Sequence, residues 1–337
     1  MKHKILVIGK RGGILHWYEN ILDIDTANEN FELYSFAVNH NNFKERTCKF
    51  FIKTLKNKTA YQHYTAKLLD KTINSIQPDI ILIVDLFYFG TSILNVLDQA
   101  KSQYQTKIYH WIGDFFDDRL IQSKQTIDQY LFTDSTFIQD AHNLGITQCH
   151  YLPLATNPKI FKQTIPFQNK QDRLLFIGAY SQSRANIIQN ITYPMTIIGK
   201  GWDSFKPNDH DVKIQPNNIP ITAVATYYDQ HKYIFNAINK NNTRQGLTMR
   251  CFDVPACGSI LISEYSEDFK QVPYLQTEYT FTDVNEIHAL IEKINTTSIP
   301  SHANDISEKE KLYYKSRIEA IISYTSVPIE SDKKSYP

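Results

Sequence analysis

The sequence predicts an α/β protein made of two doubly wound domains that face a central crevice. Short apolar runs alternate with helical segments along most of the 337 residues, a pattern typical of parallel sheets covered by helices. A chain of this length also exceeds the usual size of a single core. The polar stretch 157–173, which carries two prolines, interrupts the alternation. We therefore expect a linker between two similar units.

The first domain is predicted over 1–165, and its strand candidates are apolar runs such as KILVIG at 4–9. Continuous apolar runs that end in turn-prone residues are typical of strands buried on both faces. The predicted strands are 4–9, 31–38, 78–87, 107–114, 129–134 and 149–154, and the predicted helices are 43–57, 59–76, 92–102 and 135–145.

A second Rossmann-like domain is predicted over 166–306, followed by an amphipathic helix at 307–326 that should pack on the first domain. The tail 327–337 is expected to be frayed. Because ligands of doubly wound sheets bind beyond the carboxyl ends of the strands, we expect the site in the crevice. The predicted strands are 174–180, 195–201, 233–239 and 259–263, and the predicted helices lie near 183–191, 221–230, 246–258 and 288–294.

Composition narrows the function classes. The formal net charge of +1 predicts no nucleic-acid partner. The four cysteines form no CxxC pair and have no histidine at zinc-ligand spacing, so we expect no structural metal. The first apolar run is too short for a secretory signal, and no stretch reaches transmembrane length. The sequence therefore predicts a cytoplasmic protein.

The segment GLTMRCFDVPACGSILIS, 246–263, combines features that suit a phosphate-bearing ligand. Thr248 is predicted to cap a helix whose first turn would favour an anion. Gly246 allows close approach to the backbone, and Arg250 is suited to holding a phosphate. Asp253, three residues further, shares a face with Arg250 and suits the vicinal hydroxyls of a ribose. The alternative is a local Arg–Asp pair on an ordinary turn.

The stretch FNAINKNNTRQGLTMRCFDVPACGSILIS at 235–263 resembles the C-terminal core of the CgeB-like, group-1-type glycosyltransferases of the GT-B fold. Similar segments occur in the same order at 130–161, 174–184 and 196–202. The resemblance implies a metal-independent, hexosyltransferase-like enzyme without a cofactor. It would move a sugar from a nucleotide diphosphate-sugar to an acceptor hydroxyl, in bacterial surface glycan assembly.

The family's donor-binding positions can be placed on this sequence. The resemblance implies that Asp253, five residues before Gly258, binds the donor ribose. Gly178 is the glycine that follows the first strand of the second domain, and Arg184 matches a basic residue that faces the diphosphate. The alternative for Arg184 is a solvated helix start.

The sequence departs from the family pattern at two positions. Gln245 stands where the wider group often has an acid near the transferred sugar, and this puts a retaining mechanism in doubt. Ala179 replaces a second basic residue, for which Arg250 would compensate. Gly199 and Gly201 match a loop near the nucleotide base.

The first domain should supply the acceptor side. In GKRGGILHW, 9–17, Gly12 and Gly13 would allow close approach to the donor phosphates or sugar. His16 is a candidate general base, since histidine titrates near neutral pH. Its alternative is a histidine at a helix start, packed beside Trp17.

The segment HWIGDFFDDR at 110–119 supplies the other candidate base. Asp114 ends a predicted strand and could deprotonate the acceptor. Asp117 and Asp118 are more simply explained as a solvated turn paired to Arg119. A metal site at DFFDD is not expected, because a basic donor site between two α/β domains neutralises the leaving diphosphate with arginines.

The segment 43–57 places Arg46, Lys49, Lys53 and Lys56 on one helical face. Packing on its own domain is the simpler interpretation. The alternative is contact with an anionic membrane, where a lipid-linked acceptor would lie. The acceptor itself would be a glycan, a lipid-linked group or a protein. Two other functions stay open: a sugar-nucleotide epimerase of the same fold, and a non-catalytic two-domain protein that binds a small ligand.

Overall fold

The computed structural model describes most of the chain and contains two parallel, six-stranded sheets. The described residues are 2–12, 16–38, 58–84, 86, 88–207, 211–215, 218–275, 279–296 and 306–325. The predicted helix at 43–57 and the tail 327–337 lie outside them. Within the described residues, no helix is both long and apolar enough to cross a membrane.

The first sheet has the strand order β2-β1-β3-β4-β5-β6, with all neighbours parallel. The chain therefore reverses its direction of travel between β1 and β3, which is the switch point of a doubly wound sheet. Its elements are β1 His3–Gly9, α1 Trp17–Leu22, β2 Phe31–Ala37, α2 Lys58–Ile76, β3 Ile80–Val84, α3 Thr91–Tyr104, β4 Lys107–Ile112, β5 Gln129–Phe132, α4 Thr136–Asn143 and β6 Cys149–Tyr151.

The second sheet has the order β12-β11-β10-β7-β8-β9 and its switch point between β7 and β10. Two doubly wound domains were predicted, and this fold class is confirmed. The elements are β7 Gln171–Ile177, α5 Gln182–Ile188, β8 Met195–Ile198, β9 Val212–Gln215, α6 Ile221–Gln230, β10 His231–Asn236, α7 Arg250–Ala256, β11 Ile260–Glu264, β12 Thr280–Phe281 and α8 Glu286–Thr296.

The C-terminal segment forms two helices, α9 Ile306–Glu310 and α10 Tyr314–Thr325, where one was predicted. The helix is interrupted because Tyr313 forms a parallel bridge with Thr156. The Arg317 guanidinium on α10 then donates to the carbonyl of Leu154, 3.0 Å away, beyond the last strand of the first sheet. This part of α10 therefore contacts the first domain.

Apolar side chains fill both faces of the sheets. Every residue of β3 is at most 1% exposed, as the continuous apolar run IILIV predicts. Separate apolar clusters cover the outer face of each sheet, whereas a third extends from Ile5 through Leu175 to Ile318. The two domains and α10 thus share one continuous core.

Two details of the second domain differ from the prediction. The edge strand β9 was not predicted, because its four residues alternate between half-buried and exposed and form no apolar run. β7 begins at Gln171, inside the predicted linker. Lys170 just before it is buried, and its ammonium lies 3.0 Å from the Asp229 carboxylate. The end of the predicted linker 157–173 is therefore not flexible chain: it forms the beginning of β7, which the Lys170–Asp229 ion pair fixes in place.

Candidate active site

The carboxyl ends of the two sheets face each other, and one contact shows how closely. A Cβ atom added to Gly246, which follows β10, would lie 2.9 Å from the carbonyl oxygen of Thr133, which follows β5. Only a glycine allows this approach without a shift. The residues that follow the strands of both sheets therefore line the space between the domains.

Two arginines lie side by side at the carboxyl end of β7. Arg250, the first residue of α7, donates to the Asn236 side chain at 3.1 Å and to the carbonyl of Ile177. Arg184 on α5 donates to the carbonyl of Ala179 at 3.0 Å. The two guanidinium carbons lie 5.4 and 5.6 Å from the centre of the Phe176 ring. Backbone carbonyls and one aromatic face thus fix both cations.

The arginine pair is left with unused hydrogen-bonding capacity. The Nε atoms of Arg184 and Arg250 are buried, and no described residue accepts a hydrogen bond from them. Burial, together with the charge of Arg250, lowers the pKa of Arg184 to about 10. Glu264 attracts Arg184, but its carboxylate already accepts from the Ile238 amide at 2.8 Å. Two adjacent, half-buried guanidinium groups with unused donors are chemically suited to a multiply charged anion.

Glycines let the neighbouring loops pack against this pair. A Cβ at Gly178 would lie 3.0 Å from Arg250 Nη2. Gly199 has φ 154°, and a Cβ there would lie 2.1 Å from the Gly178 carbonyl oxygen. That same oxygen accepts a 2.8 Å bond from the Trp202 indole. Gly201 has φ 89° and packs on Tyr180. The loops after β7 and β8 therefore form one wall of the site.

Asp253 lies at the contact between the domains and is 5% exposed. Thr156, from the first domain, donates its hydroxyl to Asp253 Oδ1 at 2.6 Å. Burial raises the pKa of Asp253 to about 8, and the Thr156 bond and the charge of Arg250 only partly offset that effect. A carboxyl group in this state keeps hydrogen-bonding capacity for a ligand.

The start and end of α7 differ from what the sequence suggested. Met249, with no side-chain bond, occupies the N-cap position, whereas Thr248 donates its hydroxyl to Asn236. The helix begins too late for Thr248 to cap it. Gly258 ends the helix with φ 65°, beside the Gln163 side chain. The structure does not bring Gly258 together with the arginine pair. Gly258 follows α7 and lies just before β11, at the amino ends of the strands, whereas the arginines lie at the carboxyl ends.

On the first domain, Asp114 follows β4 and is half-buried. Burial raises the pKa of its carboxyl group, and a hydrogen bond from the Asn242 side chain opposes that rise. Asn242 belongs to the second domain, in the loop after β10. The structure thus places Asp114 at the crevice, in contact with the domain that carries the arginines.

His16 and Gly12 follow the carboxyl end of β1. His16 is half-buried and precedes α1 with φ 46°, and its side chain makes no capping bond to that helix. Its neighbour Trp17 packs on Trp111, with ring centres 4.7 Å apart. The amide of Gly12 donates to Glu19 at 2.6 Å. Gly13 lies outside the described residues.

The acidic turn after Asp114 contains the ion pair that the sequence suggested. Arg119 lies 2.6 Å from Asp117 Oδ2, and both side chains are about half exposed. Asp118 begins a short 3₁₀ helix that extends to Ser123. Across the described parts of the chain, no three histidine, cysteine or acidic side chains are grouped as metal ligands.

Three residues of the site were not singled out in the sequence. Phe176 lies in an apolar strand run and gives no signal beyond that of a core residue. Asn236 and Asp134 are polar residues at or just after the ends of strands, and this position at a doubly wound sheet could have marked them. Asp134 is fully buried and binds the loop after β10.

Comparison with known proteins finds relatives of this sequence and solved structures with the same two-domain fold. Residues 182–321 match the family model described as Glycosyl transferase-like. The chain is 20% identical over 225 residues to the spore protein CgeB of Bacillus subtilis (strain 168), with 61% of this chain covered. The match spans 64% of the length of CgeB, less than two thirds.

Solved structures align along nearly the whole chain. A trehalose-6-phosphate protein from E. coli bound with UDP-2-fluoro glucose has a TM-score of 0.59 and 13% identity, covering 97% of this chain and 99% of its own. A UDP-forming trehalose-phosphate synthase from Burkholderia xenovorans gives 0.54 and 10%, covering 96% and 98%. An alpha-glucosyltransferase in complex with UDP and a 13-mer DNA gives 0.58 and 10%, covering 97% and 100%.

Two doubly wound parallel sheets whose carboxyl ends face a crevice define the GT-B fold class. Within that class, the family model and the CgeB match confirm the predicted resemblance to the CgeB-like, group-1-type glycosyltransferases. The comparisons therefore support the predicted enzyme class, a glycosyltransferase.

Proposed function

We propose that this protein transfers a sugar from a nucleotide diphosphate-sugar to a hydroxyl group of an acceptor. The observation that carries the proposal is the pair Arg184 and Arg250, each with a buried Nε–H that has no acceptor in the part of the chain that the structure describes. A diphosphate would accept from both guanidinium groups and neutralise their mutual repulsion. As it leaves, the same two cations would stabilise its growing charge.

The remainder of the donor would extend along the second domain. The loop that carries Gly199 and Gly201 lies beside the arginine pair, where a nucleotide base would follow the diphosphate. Asp253, on the same helix as Arg250, would bind the ribose hydroxyls. Gln245 Oε1 accepts from the Glu267 amide at 3.0 Å. The position that carries an acid in the wider group is therefore engaged within this domain.

Asp114 is the general base in this proposal, and His16 is the alternative. Asp114 is half-buried at the crevice and in contact with the donor domain through Asn242. A burial-raised pKa suits a carboxylate to proton abstraction closer to neutral pH. The variant Asp114→Asn should lower transfer by about 10²–10⁴-fold and preserve nucleotide diphosphate binding. A large loss in His16→Ala with normal transfer by Asp114→Asn would assign the base to His16.

The acceptor is a glycan, a lipid-linked group or a protein, and the proposed setting is surface glycan assembly on the cytoplasmic side of a bacterial membrane. Contact with that membrane through 43–57 belongs to this proposal, and the segment lies outside the described residues. Binding to anionic vesicles, compared with neutral ones, tests the membrane contact.

The test of the activity is release of nucleotide diphosphate from a panel of nucleotide-sugars, with and without carbohydrate acceptors. A transferase releases the diphosphate and forms a glycoside, an epimerase changes the sugar without an acceptor, and a binding protein does neither. Arg250→Gln should weaken nucleotide diphosphate binding by about tenfold or more. The matched control is Arg173→Gln at the other end of β7, where Arg173 pairs with Asp211. Equal effects of the two variants would contradict the assigned site.

Metal dependence gives an independent test. Because Arg184 and Arg250 are proposed to neutralise the leaving group, transfer should continue in the presence of EDTA. Complete loss on chelation with recovery on adding manganese would instead assign the acidic turn 114–118 a metal-binding role.

A further inference from the structure

One loop of the second domain contacts three aspartates of the first. The bridging loop, defined as Asn242–Gln245, follows β10 and directly precedes Gly246. Its side chains reach Asp114, Asp134 and Asp140. All three aspartates follow strands β4 and β5 or lie on α4, at the carboxyl edge of the first sheet.

Asp134 forms the dense part of this contact. Its Oδ2 accepts from the Thr243 hydroxyl at 2.6 Å, the Arg244 amide at 2.7 Å and the Gln245 amide at 2.9 Å. Its Oδ1 accepts from the amide and hydroxyl of Thr136, at 2.9 and 2.7 Å. Burial alone would raise the pKa of Asp134, yet these hydrogen bonds hold it below its usual value. Asp134 is therefore an ionised, fully satisfied carboxylate.

The bridging loop is also anchored within its own domain. Ser266 donates its hydroxyl to the Gln245 carbonyl. The neighbouring Asp268 in turn accepts a 3.0 Å bond from the amide of Ser135 in the first domain. Each domain thus contributes one buried carboxylate that binds backbone amides of the other. The loop is fixed on both sides, which sets the position of Asn242 against Asp114.

We propose that Asp134 is a positioning residue: it fixes the bridging loop on the first domain and thereby orients Asp114 toward the donor. This inference rests on the proposed transferase function. Arg250, which is proposed to bind the diphosphate of the sugar donor, donates hydrogen bonds to Ile177 and Asn236, both of the second domain. Loss of Asp134 should therefore affect the chemical step far more than donor binding.

The experiment compares Thr243→Val, Thr243→Ser and Asp134→Asn in the full chain. Valine removes the hydroxyl that Asp134 accepts from, and serine retains it. Asparagine keeps one acceptor oxygen and replaces the other with an NH2 donor, so it cannot accept from both the loop and Thr136. Thr243→Val and Asp134→Asn should lower the kcat of transfer by about 10-fold to 10²-fold, the scale of a misplaced reacting group. Nucleotide diphosphate affinity should change less than about threefold, and Thr243→Ser should keep near wild-type kcat.

The matched control is Asp140→Asn. Asp140 binds the same loop through Arg244 at 2.7 Å, but the two side chains are 37% and 47% exposed. Exposed ion pairs contribute little, so kcat should stay within about twofold of wild type. Unchanged kcat in Thr243→Val and Asp134→Asn would overturn the proposal, as would an equal loss of kcat in Thr243→Ser.

A second measurement separates this inference from the proposed function. Melting temperatures of Asp134→Asn, Thr243→Val and the double variant form a mutant cycle that needs no activity. A double variant that loses clearly less than the sum of the single losses supports the anchored loop. Additive losses would overturn it. A wild-type protein that releases no nucleotide diphosphate contradicts the proposed function, while the cycle still decides whether Asp134 fixes the loop.

Discussion

Two buried aspartates at the contact between the domains have opposite surroundings. Asp134 accepts hydrogen bonds from Thr136, Thr243 and two loop amides, and its pKa is lowered. Asp253 accepts a bond from Thr156, and burial raises its pKa to about 8. Asp134 follows β5 of the first sheet, and Asp253 lies on α7 of the second domain.

The difference separates a structural carboxylate from one available to a ligand. A buried carboxylate with all its lone pairs occupied holds the fold and has nothing left to offer a substrate. A buried carboxylate with few partners costs stability unless something binds it. The four predictions that follow test this distinction at Asp134, at Asp253 and at Asp114, which has an intermediate environment.

The largest expected effect is the loss of stability in Asp134→Ala. Asp134→Ala leaves the hydroxyl of Thr243 and the amides of Arg244 and Gln245 without an acceptor in a buried place. We expect the free energy of unfolding to fall by about 3–5 kcal/mol, because several buried donors lose their acceptor at a cost of about 1–3 kcal/mol each. Urea denaturation measures this. A loss of stability below about 1 kcal/mol would show that Asp134 does not hold the fold, and the proposed difference from Asp253 would be wrong.

The second effect concerns ligand binding at Asp253. Asp253→Ala should weaken nucleotide diphosphate binding by about 1–3 kcal/mol, the scale of lost hydrogen bonds to ribose. Because Asp253 has few partners in the fold, the variant should keep its secondary structure. Isothermal titration measures the affinity and circular dichroism the fold. Wild-type affinity in a folded variant would remove the ribose assignment.

The raised pKa of Asp253 also predicts a pH dependence of the free energy of unfolding. Between the unfolded pKa of about 4 and the folded pKa of about 8, the native state holds a proton on Asp253 that the unfolded chain does not. Stability from this group is therefore present at low pH and falls as pH rises, by at most about 1.4 kcal/mol per unit.

Asp253→Asn removes that titration and keeps an acceptor for Thr156. Its stability relative to wild type should rise as pH increases from 5 to 8, as measured by urea denaturation at each pH. Asp268, whose pKa burial raises to about 6, titrates in both proteins and cancels in the difference. A constant difference across this range would show that Asp253 is ionised in the native protein.

The smallest expected effect is a shift in the pH dependence of transfer, caused by a change in the pKa of Asp114. Its pKa is raised by burial and lowered by the Asn242 bond. The proposed base acts when deprotonated, so transfer should fall as pH falls through its pKa. Asn242→Ala removes the lowering contribution and should move the acidic limb of the kcat profile upward, by up to about one pH unit. A downward shift would mean that Asn242 does not stabilise the carboxylate.

The sequence predicts the sheets well because buried strands have a local signature. The run IILIV at 80–84 and the run before Gly178 are continuous and apolar, and both are strands. β9 lacks such a run, since an edge strand with exposed side chains needs no apolar residue at each position. Arg250 is suggested by the residue types of 246–263 and Arg184 by the resemblance. Their common packing on the Phe176 ring depends on which way that side chain points from β7, and the sequence does not show this.

The contacts of Asp134 were not predictable from local pattern. Its partners lie about 109–111 residues further along the chain, in the other domain. Nothing within the segment QYLFTD shows which loop will cover its last residue. Thr248 shows the opposite limit: its residue type suits a helix cap, but its hydroxyl is bound to Asn236 instead. Long-range hydrogen bonds decided both cases.

The bridge between Thr156 and Tyr313 has a structural consequence. The chain leaves the first domain after Thr156 and returns at Tyr314, and the two passages are tied by bonds from Thr156 to Leu312 and from Tyr314 to Thr156. The two passages between the domains therefore lie side by side at Thr156. Thr156 also donates its hydroxyl to Asp253. A ribose bound by Asp253 would lie beside both crossings, so a substitution at Thr156 would disturb the connection between the domains and the proposed nucleotide site together.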